Sequence, residues 1–226
     1  MEYKIYGTVM QSVDIHLVRG ESVYTEAGGM AWMGGDIEMK TDTKGGLMAG
    51  LGRKLAGESF FMTTYTCRSA TGLVTFTPEV PGKVLVHELQ AGQSLICQRD
   101  AFMCAEAAVN LEMHFRKRLG TGLFGGEGFI LQKITGPGKV FLEIPGEIRA
   151  YTLQEDQLLR VDPGHIAAFD PTVSYDITLV KGVTNVFFSG EGLFLAQLRG
   201  PGRIWLQSLP LSNLARKLAR YLPSGN

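Results

Sequence analysis

Apolar and polar positions alternate with a period of two along most of the chain. Residues 140–144 follow this pattern, a Pro-Gly turn occupies 145–146, and residues 148–153 continue it. A matching run passes through the Pro-Gly turn at 81–82 and ends at Leu89. Such alternation around a turn is typical of antiparallel strands, so we predict a hairpin at each place.

The same pattern recurs three times. Each copy opens on a leucine and reaches a Gly-Glu pair: Leu17 and Glu58, Leu89 and Glu127, Leu153 and Glu191. The separation is 41 residues in the first copy and 38 in the other two. We therefore predict three repeats, 17–88, 89–152 and 153–207.

These repeats predict a mainly β fold, an internally repeated antiparallel β-sandwich or prism with pseudo-threefold symmetry. Residues 1–207 would form a single domain. The third repeat has no return strand after Trp205. We expect the N-terminal strand, residues 3–16, to complete it, because closure also covers exposed sheet edges.

The tail, residues 208–226, has a helical pattern instead. Ser212 is a candidate N-cap for a short amphipathic helix that reaches Leu222. Its apolar positions are Leu214, Leu218 and Tyr221, and its basic positions are Arg216, Lys217 and Arg220. Residues 44–55 form a second, glycine-weakened candidate helix.

Composition excludes several broad functions. The chain has 22 basic and 22 acidic residues, so no bulk field attracts nucleic acid, and we expect no DNA partner. Three cysteines without CxxC spacing predict neither a disulfide framework nor a zinc site. No apolar run approaches the length of a membrane span, and residues 1–6 lack the features of a secretory signal. We expect a cytoplasmic protein without a cofactor.

The repeated carboxylates Glu58, Glu127 and Glu191 are the candidate site, together with Gly126 and Gly190. They could be metal ligands or acid–base groups. Alternatively, each carboxylate accepts backbone N–H bonds at a tight glycine turn. Repetition favours the structural interpretation, because a catalytic group is seldom needed three times.

Two further segments remain open. Arg116, Lys117 and Arg118 could bind phosphate groups of RNA, a small ligand or lipid, or could be a solvated strand end, which we favour. The segment with Met30, Trp32 and Met33 could be an exposed partner surface or part of the core.

The motifs together resemble the altered-inheritance-of-mitochondria (AIM) type family and its bacterial relatives of unknown function. The resemblance rests on residues 20–24, 26–28, 30–33, 44–47, 123–129 and 200–202, in the family's order. It implies a β fold related to the trp RNA-binding attenuation protein, internal duplication and oligomerisation. Fungal mitochondrial members are linked to inner-membrane architecture. The resemblance assigns no catalytic residues.

The leading hypothesis is therefore a non-enzymatic, homo-oligomeric β scaffold or interaction protein, including association with a membrane surface through the tail helix. One alternative is an RNA- or small-ligand-binding module that uses Arg116 to Arg118. Another is an enzyme that uses the repeated glutamates.

Overall fold

The computed structural model describes residues 1–26, 28–43, 61–117, 128–179, 194–219 and 221. These residues form antiparallel sheets and a short C-terminal helix, so the predicted mainly β fold is confirmed. The strands of the first third are β1 (Glu2–Tyr6), β2 (Ser12–Val18), β3 (Ser22–Glu26), β4 (Met30–Gly34), β5 (Ile37–Thr43), β6 (Phe61–Cys67) and β7 (Thr71–Phe76). Next come β8 (Gly82–Leu89), β9 (Ser94–Gln98), β10 (Phe102–Glu106), β11 (Asn110–Lys117), β12 (Phe129–Thr135) and β13 (Gly138–Pro145). The last are β14 (Ile148–Leu153), β15 (Leu158–Val161), β16 (Ile166–Phe169), β17 (Ser174–Leu179), β18 (Phe194–Arg199) and β19 (Gly202–Gln207), followed by helix α1 (Leu211–Ala219).

The chain divides into two compact units. The first contains Met1–Gln93, Phe102–Asn110 and Thr135–Glu143, and the second contains Ser94–Ala101, Leu111–Ile134 and Ile144–Asn226. The division does not follow the boundaries of the predicted repeats. That residues 1–207 form a single domain stays a prediction.

The first unit is a sandwich of two sheets. Sheet A has the strand order β1-β2-β7-β4, and sheet B has the order β5-β6-β3-β10-β13-β8. Alternate residues of β2, among them Val13 and Ile15, face inward and are fully buried. They share one apolar cluster with Phe76 of sheet A and Tyr65 and Phe141 of sheet B. Burial of this shared cluster holds the two sheets together.

The second unit repeats this arrangement. Sheet C has the order β11-β12-β9-β16-β19-β14, and sheet D has the order β15-β18-β17. Their core cluster joins Phe129, Phe169 and Ile204 of sheet C to Ile177 and Leu198 of sheet D. Alternation of apolar residues toward this core explains why these segments form strands.

A β-bulge occurs at the same point in three strands that the repeats make equivalent. The register shifts between Met30 and Trp32 in β4, Phe102 and Cys104 in β10, and Ile166 and Ala168 in β16. Each bulged strand pairs with one of three corresponding strands, β7, β13 or β19, in its own predicted repeat. These recurrences are consistent with three copies of one module, and their rotational relation stays a prediction.

The turns at the start of the repeats also match. In each, a side-chain oxygen accepts the backbone N–H three residues earlier. The pairs are Glu21 with Val18 at 3.0 Å, Gln93 with Gln90 at 2.9 Å, and Gln157 with Gln154 at 3.0 Å. The residue before each acceptor has a positive φ, at Gly20, Gly92 and Asp156.

The predicted hairpins are wrong. Strand β13 lies between β10 and β8 in sheet B, whereas β14 pairs with β19 in sheet C, from Ile148 opposite Gln207 to Leu153 opposite Gly202. Likewise, β7 belongs to sheet A and β8 to sheet B. At each Pro-Gly turn the chain passes from one sheet to another. The alternating pattern located the strands correctly but carried no information about their partners.

The partner predicted for residues 3–16 is wrong for the same reason. Strand β2 pairs along its length with β7, and β1 pairs with β2. Trp205 lies on β19, which has β14 and β16 as its neighbours. Each strand that contains an opening leucine pairs with a strand of the predicted repeat that this leucine opens: β2 with β7, β8 with β13, and β14 with β19. The N-terminal strand therefore completes the first repeat, not the third.

Helix α1 begins one residue earlier than predicted. The backbone N–H groups of Asn213 and Leu214 donate to the carbonyl oxygen of Pro210 at 3.0 and 3.2 Å. Ser212 thus lies inside the first turn, and its assignment as the N-cap is wrong. The fixed φ of proline suits a helix start, and Pro210 lies against Gly164, where an added Cβ would be 3.2 Å from the proline Cβ. Of the predicted extension to Leu222, Arg220 and Leu222 lie outside the described residues, and Tyr221 lies in a turn after the helix.

Candidate interaction surface

The repeated carboxylates cannot be placed. Glu58, Glu127 and Glu191, with Gly126 and Gly190, lie outside the described residues, as do Arg118 and the candidate helix at 44–55. The connections that contain the glutamates join strands that are adjacent in their sheets, β5 to β6, β11 to β12, and β17 to β18. Arg116 and Lys117 are the last two residues of β11, and their side chains are outside the described set. The carboxylate site and the anion patch therefore stay predictions.

The described residues contain no cluster of three or more His, Cys, Asp or Glu side chains that could hold a metal ion. Cys67, Cys97 and Cys104 are buried and form no disulfide. Burial, and secondarily the charge of Glu143, raises the pKa of the Cys104 thiol well above its ordinary value. That thiol is therefore protonated and unreactive at neutral pH.

Strand β4 is composed of apolar residues and glycine, yet most of it is exposed to solvent. It has the sequence Met-Ala-Trp-Met-Gly, and only Met30 is partly buried, against the core of the first unit. The side chain of Trp32 is 53% exposed and that of Met33 is 40% exposed. We define Ala31, Trp32 and Met33 as the β4 surface. The two alternatives left open for this segment thus apply to different residues, since Met30 contacts the core and the β4 surface faces solvent.

Glycines on both sides fix the position of β4. Gly28 and Gly35 have φ values of +96° and +87°, a region that favours glycine. At Gly29, an added Cβ would lie 2.5 Å from the Thr25 hydroxyl oxygen, so the chain approaches β3 too closely for a side chain. These turns carry the chain from sheet B into sheet A and back again. The flanking glycine pairs were the sequence signal for a separately positioned strand.

One edge of β4 is held rigidly. Trp32, Met33 and Gly34 lie opposite Thr75, Val74 and Leu73 of β7. The Thr75 hydroxyl is fully buried and donates to the Asp14 carboxylate on β2 at 2.7 Å. The other edge has no paired strand among the described residues, because β4 is the terminal strand of sheet A. A strand that is paired on one edge, open on the other and apolar in its side chains is suited to binding another strand.

The apolar end of helix α1 is a second exposed feature. Leu218 is 52% exposed and Tyr221 is 75% exposed, and the neighbouring Lys217 is also exposed. No helix in the described part of the chain has the length and apolar composition required to cross a membrane.

Comparison with known proteins identifies a matching family, a similar sequence and similar solved structures. The family model described as mitochondrial biogenesis AIM24 matches residues 3–209. An uncharacterised protein of Streptococcus pyogenes serotype M6 is 31% identical over 222 residues, covering 95% of this chain and 88% of that protein. A structural-genomics crystal structure of a Streptococcus pyogenes protein has a TM-score of 0.79 and 28% identity, covering 98% of this chain and 99% of that one. The resemblance inferred from the motifs is thereby confirmed.

Proposed function

We propose that this chain, which belongs to the mitochondrial biogenesis AIM24 family, is a non-enzymatic scaffold that associates with copies of itself through the β4 surface. The relatives reported above are uncharacterised proteins, so the argument rests on the chemistry of this surface. The single observation that supports it is an unprotected sheet edge.

Terminal strands normally carry charged residues that prevent unwanted pairing. The described sheets have eight terminal strands, and β4 alone among them contains no charged residue. The others contain Glu2 in β1, Glu38 in β5, Lys83 in β8, Glu112 in β11, Arg149 in β14, Arg160 in β15 and Asp176 in β17. An edge without this protection is explained if another strand covers it.

The side chains of the β4 surface would add to the backbone hydrogen bonds of such a contact. Complete burial of a large apolar side chain contributes roughly 1.5–3 kcal/mol, and the half-exposed Trp32 and Met33 would each contribute a part of this. Tryptophan and methionine are also enriched in protein interfaces. The expected result is a homo-oligomer.

Light scattering coupled to size exclusion, over a range of protein concentrations, tests the proposal. We expect the wild-type chain to be oligomeric and Trp32→Glu to shift it toward monomer. The matched control is Tyr151→Glu, because Tyr151 is 42% exposed on β14, a terminal strand that carries its own charge. A monomeric wild type at every concentration, or equal effects of the two variants, would refute self-association through β4.

Helix α1 supports a second candidate function, association with a membrane surface. Exposed Leu218 and Tyr221 beside Lys217 have the composition of an interfacial anchor. Co-sedimentation with anionic vesicles should decrease in Leu218→Glu and in a chain ending at Gln207. Unchanged sedimentation of both would remove the membrane function and leave the scaffold intact.

The alternative of RNA or small-ligand binding through Arg116 to Arg118 makes a different prediction. Binding should fall steeply as salt increases and should be lost when these charges are neutralised. An enzymatic role for Glu58, Glu127 or Glu191 requires a turnover that alanine substitution abolishes. Neither alternative explains the uncharged β4 edge.

A further inference from the structure

The two six-stranded sheets are built in the same way. In sheet B, β5, β6 and β3 of the first repeat are followed by β10, β13 and β8, which belong to or lead into the second. In sheet C, β11, β12 and β9 are followed by β16, β19 and β14 in the corresponding order. At both junctions a strand that begins one repeat pairs with the bulged strand of the next.

The remaining sheets correspond to the two halves of such a sheet. Sheet D, in the order β17-β18-β15, corresponds to the first three strands of sheets B and C. The strands β4-β7-β2 of sheet A correspond to their last three strands. Strand β15 is terminal in sheet D, and β4 is terminal in sheet A. The junction strands of a third six-stranded sheet are therefore β15 and β4.

The register of this junction follows from the complete sheets. At those junctions, Ala105 lies opposite Tyr24 and Phe169 lies opposite Ile96. In each pair, the residue on the bulged strand comes directly after Cys104 or Ala168, where the register resumes. Its partner is the third residue of β3 or β9. The corresponding residues are Met33 in β4 and Arg160 in β15.

Strand β15 occupies the same position in its repeat as β3 does in the first. In β3, Ser22 to Thr25 pair antiparallel with Thr66 to Thr63. In β15, Leu158 to Val161 pair antiparallel with Arg199 to Ala196. Both strands begin pairing at the fifth residue after the opening leucine of their repeat. Its Leu158, Leu159 and Val161 are only partly buried. An apolar strand whose second edge is unpaired among the described residues is thus available to match β4.

We propose that β15 of a second copy of this chain pairs antiparallel with β4, with Arg160 of one copy opposite Met33 of the other. This inference rests on the proposed function and names its partner element. The two surfaces differ, so the contact is heterologous and joins copies head to tail. Repetition of the contact produces a closed ring if the rotation closes, and a filament if it does not.

Cysteine pairs test the contact directly. The variants Met33→Cys and Arg160→Cys are purified separately, mixed and oxidised, and the products are separated on a non-reducing gel. The native cysteines are buried, which limits their participation. We expect a covalent dimer in the mixture and little in either variant alone, because only the mixture places both positions across a strand pair. A double variant should form a ladder of covalent multimers.

Charge exchange provides a test that does not depend on disulfide geometry. Met33→Lys places a like charge opposite Arg160, which costs up to about 1 kcal/mol and should weaken association about fivefold. Adding Arg160→Glu should restore association, whereas adding Arg149→Glu on β14 should not. The oligomer's mass is measured by light scattering for each variant.

The outcomes separate this inference from the proposed function. Covalent dimers of Met33→Cys alone would indicate a contact between two β4 strands, which overturns the head-to-tail pairing but keeps self-association through β4. A double variant that forms only a monomeric product, or failure of both the mixed cross-link and the charge rescue in an oligomeric protein, would also overturn it. A monomeric wild type would remove both proposals.

Discussion

Strand β4 and its two equivalents, β10 and β16, have a bulge at the same position but differ in how far their residues are buried. Every residue of β16, and all but the last of β10, is buried, whereas four of the five residues of β4 are exposed. The position after the bulge holds Trp32 in β4 but Cys104 and Ala168 in the other strands. Small residues lie where the chain covers the strand itself, and a large apolar residue lies where it does not. The difference supports the proposal that a second copy of the chain covers β4.

The largest expected effect on stability comes from placing a tryptophan, as found at position 32 of β4, at the equivalent buried position of β16. Ala168 is fully buried, so Ala168→Trp must force an indole into the packed core of the second unit. We expect a loss of about 3 kcal/mol or more in the free energy of unfolding. Denaturant unfolding measures it.

The reverse substitution is the control. Trp32→Ala, measured under conditions in which the chain is monomeric, should change the free energy of unfolding by no more than about 0.5 kcal/mol, as expected for an exposed position. A similar loss in both variants would mean that β4 is packed like its equivalents, and the comparison would fail.

Glycines at the start of the corresponding strands β7, β13 and β19 provide a second comparison between the repeats. Gly138 and Gly202 have φ values of +132° and +145°, whereas the equivalent Gly72 has no such strained φ. An added Cβ at Gly202 would lie 2.7 Å from both the Thr172 hydroxyl and a Val173 methyl. Gly202→Ala should therefore destabilise the fold by about 2 kcal/mol, through strain and crowding together.

Gly72→Ala should cost less than Gly202→Ala. A Cβ added at Gly72 would lie 2.5 Å from Ile37 Cδ1, and this end of a flexible side chain can move away. The midpoints of urea unfolding compare the two variants. Equal midpoints would indicate that the first repeat is constrained like the third at this position.

Spacing in the sequence predicted where similar turns recur, but not how the strands between them pair. The spacing from Leu17, Leu89 and Leu153 located three turns with matching hydrogen bonds. The alternating pattern identified β13 and β14 but predicted that they pair with each other, because a period of two defines a strand's faces and not its neighbour. Pairing of β14 with β19 depends on contacts between residues about 50 positions apart, which no local pattern encodes.

The β4 surface was predictable only in part, for a similar reason. Met30, Trp32 and Met33 have similar hydropathy, so composition could not separate the residue that faces the core from the two that face solvent. The separation follows from the bulge between Met30 and Trp32, which alters the alternation of side chains between the two faces. The Gly-Glu pairs were conspicuous in the sequence, but they lie outside the residues that the structure describes.

The smallest expected effect concerns the opening turn, where the first repeat has Glu21 and the others have Gln93 and Gln157. The backbone N–H of Val18 donates to the Glu21 carboxylate and lowers its pKa from the ordinary value of 4.5. A carboxyl whose pKa is lower in the folded state stabilises the fold above its unfolded pKa, and this contribution disappears as pH falls through the folded pKa. Glu21→Gln keeps an oxygen acceptor for the N–H but removes the charge.

Wild type should therefore be slightly more stable than Glu21→Gln at pH 7, by less than about 1 kcal/mol because the side chain is partly exposed to solvent. The difference should shrink as pH falls below 4.5 and disappear once the folded-state carboxyl is protonated, as thermal unfolding of both proteins over a series of acidic pH values would reveal. Gln93→Glu is the complementary variant and should introduce a pH dependence of the same sign but smaller size, because the Met1 ammonium that also lowers the pKa of Glu21 lies 3.2 Å from Glu21. A stability difference that does not change with pH would mean that the charge of Glu21 contributes nothing and that the three turns are energetically alike.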